Sequence, residues 1–391
     1  MRGNKIFVFL DKYFGILICL VIKGNLFIRN FFLNILKICK KIYKKKNPKI
    51  LIIKLSALGD TVLLIPVIKE IRNNYTNSHI TMIYTSINKD VVLNIPYLNE
   101  SILFDFKKFI KNPIYFFIFI FELYKKSFDI SIDFDQWLRI SAILSFFSGA
   151  KQRIGFNTKG QFKHFIFTNS IKHNREKHEI NCFFDLIKVI GVKKENKELE
   201  FFLNSDILLN AKNILSTLGI DITKDKFIVF HPSVPTHGLQ RHWPVEYFIE
   251  LALKIIERYN YKILITGFVF LKKEQKEKFL KFKNNINSKI YFCPDVSLKI
   301  LAAILNFSKL VLCSNTGIMH IACAVKSCVI GLHGPTDPNK WGPLGKNTYI
   351  IKSNLSCSPC LYLGFEYRCK TNKCMQAITV EEVFELFSKI L

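Results

Sequence analysis

Apolar positions in this chain fall into short unbroken runs, each followed by a stretch with a period near 3.6, and this alternation predicts strand, turn and helix many times over. The clearest unit is residues 49–72, KILIIKLSALGDTVLLIPVIKEIR. Ile50, Leu51, Ile52 and Ile53 form the run of a strand buried on both faces, and Val62, Leu63, Ile65, Val67, Ile68 and Ile71 then recur at helical spacing. Between them Asp60 stands at the carboxyl end of a parallel strand and the amino end of a helix, where α/β proteins place their reacting groups. Two roles fit it. It is an N-cap, or it is a catalytic carboxylate with Gly59 freeing the backbone just before it.

The same pattern predicts strands over residues 79–84, 101–106 and 128–134, hence a parallel sheet. Asp133 and Asp135 close the last of these, as turn formers or substrate contacts. Residues 115–124 are almost wholly apolar and aromatic, too short to span a bilayer, and fit a buried or membrane-facing helix. Lys151 and Arg153 fall in a Gly-bounded loop or strand, suited to an anionic acceptor or simply to water.

Residues 204–226 turn polar, with a helix over 207–218 ending at Gly219, and the domain junction is placed there. A strand over 227–230 then runs into His231, Pro232 and Ser233 and a loop holding Arg241, His242 and Trp243, with Pro244 in the first turn of a helix over 245–259. Strands follow at 262–266 and 290–292. The second informative stretch is residues 309–345, KLVLCSNTGIMHIACAVKSCVIGLHGPTDPNKWGPLG. A buried strand over 310–313 meets Ser314, Asn315, Thr316 and Gly317, which open a helix over 318–325. Free N–H groups, a Thr hydroxyl and a Gly that permits close approach suit a diphosphate. This is neither a Walker loop nor GxGxxG, so no particular cofactor is indicated. His320, one turn into the helix, is either structural or a phosphate contact. Gly334, Pro335, Thr336 and Asp337 follow the next strand, over 329–332.

Composition changes the picture in two places. The 391 residues, 49% of them apolar, are enough for two cores and exclude a disordered chain. The net charge of +27 points to nucleic acid or an anionic surface, and its distribution favours the surface. Residues 1–49 hold 12 Lys and Arg against Asp11 alone, whereas the remaining excess is spread thinly within a general bias to Lys, Asn, Ile and Phe. Lys12, Lys23, Arg29 and Lys37 interrupt the apolar runs of that segment, so no run reaches the roughly 20 residues a span needs. A helix lying in the interface, with the basic run at 40–46 on anionic headgroups, fits best. A cleaved signal peptide lacks its small-residue site, and an ordinary core helix is the third reading.

The chain has 11 cysteines, and Cys182, Cys313, Cys323 and Cys328 sit at apolar positions, as in a reducing cytoplasm. Cys357, Cys360, Cys369 and Cys374 cluster within eighteen residues, a spacing for a structural zinc or a disulfide pair. Thr379 and Glu382 form a capping box for the last helix.

SALGDTVLLIPVIKEIR, HPSVPTHGLQRHWPVEYF and SNTGIMHIACAVKSCVIGLHGPTDPNKWGP, in that order and spacing, closely resemble glycosyltransferase family 9, the ADP-heptose:lipopolysaccharide heptosyltransferases and their relatives. The resemblance runs from about residue 49 to 391. It implies an α/β, GT-B architecture: two Rossmann-like domains facing across a cleft, an acceptor domain over 48–205 and a nucleotide-sugar domain over 206–391, with residues 1–47 as a membrane-associating extension. It implies an inverting, metal-independent transferase taking a sugar, heptose in the family, from a nucleotide-diphosphate sugar to a lipid-linked saccharide such as the lipopolysaccharide core. The enzyme would work at the cytoplasmic face of the inner membrane. By the same resemblance Asp60 is the catalytic base. Arg241, Ser233, Asn315, Thr316, Gly317, His320, Gly334 and Thr336 fall at the donor, and Gly59, Lys151 and Arg153 on the acceptor side. No cofactor is required, and nucleic acid is not a partner. Asn315 departs from the Asp of many members, and Gly267 is not followed by the acid some members carry there.

Two other classes compete. A catalytically idle sugar-nucleotide-binding protein would keep the loops without needing the acid, and a nucleic-acid binder would explain only the charge.

Overall fold

The apolar runs at 50–53, 227–230, 310–313 and 329–332 become strands of two parallel sheets, and the apolar stretch at 115–124 a helix, in the computed structural model, which describes residues 5–35, 47–285, 289–363 and 371–391. The chain divides into two compact units, Met1–Lys197 and Glu198–Leu391. This boundary falls eight residues before the 205/206 division that the family resemblance implies, because Glu198 and Leu199 already belong with the second unit: Lys326 Nζ donates to Glu198 Oε1 at 2.8 Å and to the Leu199 carbonyl at 2.9 Å.

In the first unit the strands are β1 (Ile50–Ile53), β2 (Ile80–Tyr84), β3 (Glu100–Leu103), β4 (Ile130–Asp133), β5 (Gln152–Asn157) and β6 (Asn169–Lys172). They lie in the order β3-β2-β1-β4-β5-β6, every pair parallel. The helices are α1 (Lys5–Ile35), α2 (Leu58–Asn74), α3 (Lys89–Val92), α4 (Phe106–Lys111), α5 (Pro113–Lys125), α6 (Arg139–Phe147) and α7 (Glu179–Lys188). The second unit repeats the plan with β7 (Phe227–His231), β8 (Lys262–Ile265), β9 (Ile290–Phe292), β10 (Leu310–Ser314), β11 (Val329–His333) and β12 (Thr348–Lys352), ordered β12-β11-β10-β7-β8-β9. Its helices are α8 (Ser205–Thr217), α9 (Val245–Tyr259), α10 (Lys273–Asn285), α11 (Leu298–Phe307), α12 (Gly317–Ala324), α13 (Pro338–Trp341), α14 (Lys373–Gln376) and α15 (Val380–Ile390).

Both orders are the doubly wound 3-2-1-4-5-6 arrangement, so each unit has a switch point between its first and fourth strands where the following chains leave in opposite directions. The central strands β1, β7, β10 and β11 are buried at every position, as mostly apolar runs in a sheet covered on both faces must be. The capping box at Thr379 and Glu382 opens α15, whose Val380, Val383 and Phe387 complete the second core.

The segment ahead of β1 packs on the first unit through α1. Asp11 accepts the backbone N–H of Arg139 and of Ile140, each at 3.0 Å, and the Arg139 Nη1 at 3.2 Å. It thus caps α6, whose own N-cap position is Leu138. Cys19 and Ile22 of α1 join Ala142, Ile143, Ile166 and Phe167 in a small core of their own. Among the described residues no helix is long and apolar enough to cross a membrane. The basic run at residues 40–46 lies outside the described residues.

Candidate functional site

At the switch point of the first unit, Lys54 follows β1 directly and is fully buried. A lysine there continues an apolar strand register into the core, so its charge must be matched. Its Nζ donates to Asp60 Oδ2, Asp135 Oδ1 and Gln136 Oε1, each at 3.2 Å, and lies 5.7 Å from the Phe183 ring centre. Asp135, two residues past β4, also accepts the Leu55 N–H at 2.6 Å and the Ser56 hydroxyl at 2.7 Å, which ties the two strand ends together. Gln136 Nε2 donates to Asp60 Oδ2 at 3.1 Å and to Glu179 Oε1 at 2.6 Å, and Glu179 holds His173 Nε2 at 3.0 Å. A polar chain therefore runs from Asp60 to His173.

Asp60 sits in the first turn of α2 without capping it. The N-cap position is Ala57, at φ 65°, and no side chain caps the helix. Both contacts of the Asp60 carboxylate fall on Oδ2, so Oδ1 stays outside the network. A positive φ at a residue with a Cβ costs of order 1–3 kcal/mol and is held only where the surroundings over-determine it. Here the Leu55 and Ser56 bonds to Asp135 on one side and the α2 packing on the other do so. Behind this network a second buried pair, Lys163 Nζ to Asp133 Oδ2 at 2.8 Å with the Ser141 hydroxyl donating at 2.8 Å, fixes the end of β4. Asp133 does form the turn, its Oδ1 accepting the Asp135 N–H at 3.0 Å, and both acids are fully buried rather than open to a substrate.

In the second unit the switch point lies between β7 and β10. Thr316 occupies the N-cap position of α12, yet its hydroxyl makes no cap bond, and Thr316 Oγ1 and Ser314 Oγ are both buried without a hydrogen-bond partner among the described residues. Native structures pair such groups in the great majority, so two beside a helix amino terminus mark a place prepared for a polar ligand. Arg241 Nη1 donates to the Asn315 carbonyl at 3.0 Å, which sets the guanidinium beside that turn. Gly238 makes room for it, since a Cβ there would collide with the guanidinium. Asn315 Nδ2 donates to the Trp341 carbonyl at 2.7 Å. An ionised carboxylate could not make that bond, which gives the Asn at this position a structural role.

His231, at the end of β7, bonds Thr266 Oγ1 at 2.9 Å through Nδ1, and burial pushes its pKa down to about 4. His242 accepts from Gln275 Nε2 at 2.9 Å and is likewise lowered by burial to about 4. Gly267, at φ 67°, lies against His231 and Ser233, where a Cβ would stand 2.7 Å from His231 Cε1. Thr336 Oγ1 meets His333 Nδ1 at 3.2 Å. The residues around Cys357 and Cys360 back the Gly334–Thr336 turn: Cys360 and Leu361 donate their N–H groups to the Pro335 carbonyl at 3.0 and 2.9 Å, and Met375 packs on Gly334. Cys369 lies outside the described residues; Cys357 is exposed and Cys374 buried.

Thus Arg241, Asn315, Thr316, Gly317 and His320 come together around the start of α12, with Ser233 at the end of the neighbouring β7 and Gly334 and Thr336 at the end of β11. Asp60 and Gly59 stand at the first switch point. Lys151 and Arg153 are not brought to them. They mark the amino end of β5, the opposite end of the sheet, and Arg153 is buried with Nε on the Ile166 carbonyl and Nη1 on the Ala150 carbonyl. Lys54, Gln136, Glu179 and His173 are site residues the sequence reading missed. Only Lys54 carried a signal, a charge ending the run Ile50–Ile53. Among the described residues His173, Glu179 and Cys182 have ligand atoms within 4.8 Å of one another, and the bonds of Glu179 to His173 and Gln136 account for that grouping.

Comparison with known proteins bears on this arrangement. Lipooligosaccharide heptosyltransferase 2 of Campylobacter jejuni is 22% identical over 340 residues, 85% of this chain and 96% of that protein. Lipopolysaccharide core heptosyltransferase OpsX of Haemophilus influenzae is 25% identical, over 77% of this chain and 83% of its own. Among solved structures, a family 9 glycosyl transferase from Veillonella parvula superposes with a TM-score of 0.74 at 20% identity, covering 90% of this chain and 99% of its own. Escherichia coli heptosyltransferase WaaC with ADP gives 0.66 at 18%, over 88% and 100%. These likenesses show the fold, the α/β architecture of GT-B enzymes. The sequence profile of glycosyltransferase family 9 (heptosyltransferase) matches residues 118–373, well over half the chain, and the protein belongs to that family.

Proposed function

We propose that this glycosyltransferase moves heptose from ADP-heptose to a lipid-linked saccharide acceptor of the lipopolysaccharide core type, with inversion and without a metal, at the cytoplasmic face of the inner membrane. The observation that carries the reading is Asp60, a carboxylate at a switch point whose Oδ2 is held by Lys54 and Gln136 while Oδ1 is left over. Relatives named heptosyltransferases, and solved structures holding ADP or ADP-2-deoxy-2-fluoro heptose, support the donor.

In this mechanism an acceptor hydroxyl attacks the anomeric carbon from the side opposite the diphosphate. The new C–O bond forms as the bond to the β-phosphate oxygen breaks, ADP leaves, and the hydroxyl proton passes to Asp60. Negative charge then grows on the leaving diphosphate. Arg241, the Thr316 hydroxyl and the first N–H groups of α12 supply positive potential there, the part a metal ion plays in other transferases. Metal independence rests on that set of donors.

Asp60→Asn tests the reading, because the amide keeps the shape while removing the base. The variant should bind ADP-heptose as the wild type does and lose about 10²- to 10⁴-fold in transfer. Transfer at the wild-type rate would remove Asp60 from the chemistry. A protein that binds ADP-heptose but transfers nothing in either form would be an idle binder.

A further inference from the structure

Helices α1 and α5 turn large apolar side chains outward. On α5, Ile114, Phe117, Ile118, Phe121 and Tyr124 are 57–69% exposed, and their spacing of three, four, seven and ten residues makes one stripe. On α1, Phe14, Leu17 and Val21 are 57–62% exposed, beside Phe9 and Tyr13. The two helices share a core: Phe116 of α5 packs on the cluster built by Cys19 and Ile22 of α1 with Ala142 and Ile143 of α6. Phe116 thus ties α5 to the cluster that anchors α1, and each helix turns a row of large apolar side chains to solvent, the kind of exposure that marks an interaction surface.

The charges around the patch indicate what covers it. Exposed Lys107, Lys108 and Lys111 stand ahead of the α5 stripe and Lys125 behind it, with Lys12 and Lys23 along α1. The one exposed acid on the described parts of these helices is Glu122, paired with Lys125, since Asp11 is buried on Arg139. An aromatic and aliphatic stripe with cations at its margins, and Tyr13 and Tyr124 among its members, is the composition of an interfacial helix.

We infer that α1 and α5 together form a monotopic docking face for an anionic bilayer, with their apolar stripes in the headgroup and acyl boundary and the flanking lysines on the phosphates. The inference rests on the functional reading only for its purpose, placing the enzyme where a lipid-linked acceptor lies. The contact itself needs neither donor nor acceptor.

The test is sedimentation of the full chain with vesicles of phosphatidylglycerol and phosphatidylethanolamine, and with pure phosphatidylcholine, at 0.1 and 0.5 M NaCl, with light scattering for the oligomeric state. The wild type should partition onto the anionic vesicles and keep part of that binding at high salt, because apolar burial is not screened. Phe117→Glu with Phe121→Glu should cut partitioning at least tenfold while thermal unfolding and transfer to a soluble, delipidated acceptor stay unchanged. Lys107→Glu with Lys108→Glu should lower anionic binding by at least about fivefold per lysine, the equivalent of about 1 kcal/mol each, and leave phosphatidylcholine binding alone. A wild type that stays in the supernatant, or a phenylalanine variant that sediments as the wild type does, overturns the inference. So does a wild-type dimer that the phenylalanine variant splits without any vesicle binding, since that makes the face a contact between copies. Vesicle binding without ADP-heptose turnover would sink the functional reading and leave the face standing.

Discussion

A lysine placed at the end of a buried strand has to be matched by carboxylates, and Lys54 is matched by two, Asp60 and Asp135. Replacing a buried ion cluster wholesale by apolar groups can be neutral, but removing one partner strands the others. Lys54→Met should therefore cost about 3–5 kcal/mol in urea unfolding. Lys54→Met with unchanged stability would mean that Asp60 and Asp135 find other partners. The buried histidines give a second prediction at this scale. His231 and His242 titrate near 4 when folded, against about 6.5 in an unfolded chain. Below pH 6.5 the unfolded state binds more protons, so stability is complete above that value and falls as the pH drops toward 4. Urea midpoints measured at pH 7, 6 and 5 should decline in that order, and His231→Asn should flatten the decline even where it lowers every midpoint. A wild type equally stable at pH 5 and 7 would contradict this.

At the scale of elements, the parts legible in the sequence were those whose physics is local. Strands β1, β7 and β10 are runs of four or five mostly apolar residues buried throughout, and a Gly, Pro or acid stands at or within two residues of the start of α2, α9 and α12, the helices after them. The strands that escaped, β6 and β12, are edges: Asn169–Lys172 is largely exposed and Thr348–Lys352 half so, so neither needed an apolar run. Asp60 and the α12 turn were visible because a strand end, a Gly and a polar group lie within a few residues. The network around Asp60 was not, since it joins positions 54, 135, 136, 173 and 179 through the sheet order alone. The role of α1 was hidden for the same reason: Asp11 caps a helix 128 residues downstream. Asp11→Ala should cost about 0.5–2 kcal/mol for the lost cap, and more for the buried Arg139 it leaves behind. Asp11→Asn should recover part of the loss, because an amide oxygen still accepts the Arg139 and Ile140 N–H groups. Equal thermal midpoints for wild type and Asp11→Ala would show that α1 does not hold α6 in solution.

For the molecule as a whole, the proposed function divides the labour by where the groups lie. Every residue assigned to the donor, from Ser233 to Thr336, belongs to the second unit, and Asp60 with its network belongs to the first. The second unit has its own doubly wound sheet and a core that includes the C-terminal helix α15. Its boundary matters, because Leu199 and Phe201 are 2% and 7% exposed and precede α8. A fragment of residues 198–391 should therefore unfold in one cooperative step and bind ADP within about tenfold of the full chain, while showing no transfer. A fragment starting at residue 206 gives up the burial of both side chains and the Lys326 contacts, about 1.5–3 kcal/mol for each large apolar side chain exposed. It should melt lower or fail to fold. Calorimetric titration of both fragments with ADP decides the matter. If residues 198–391 fold and leave ADP unbound, the prepared turn at Thr316 is not sufficient for the nucleotide, and the first unit must take part in holding the donor as well as in the chemistry.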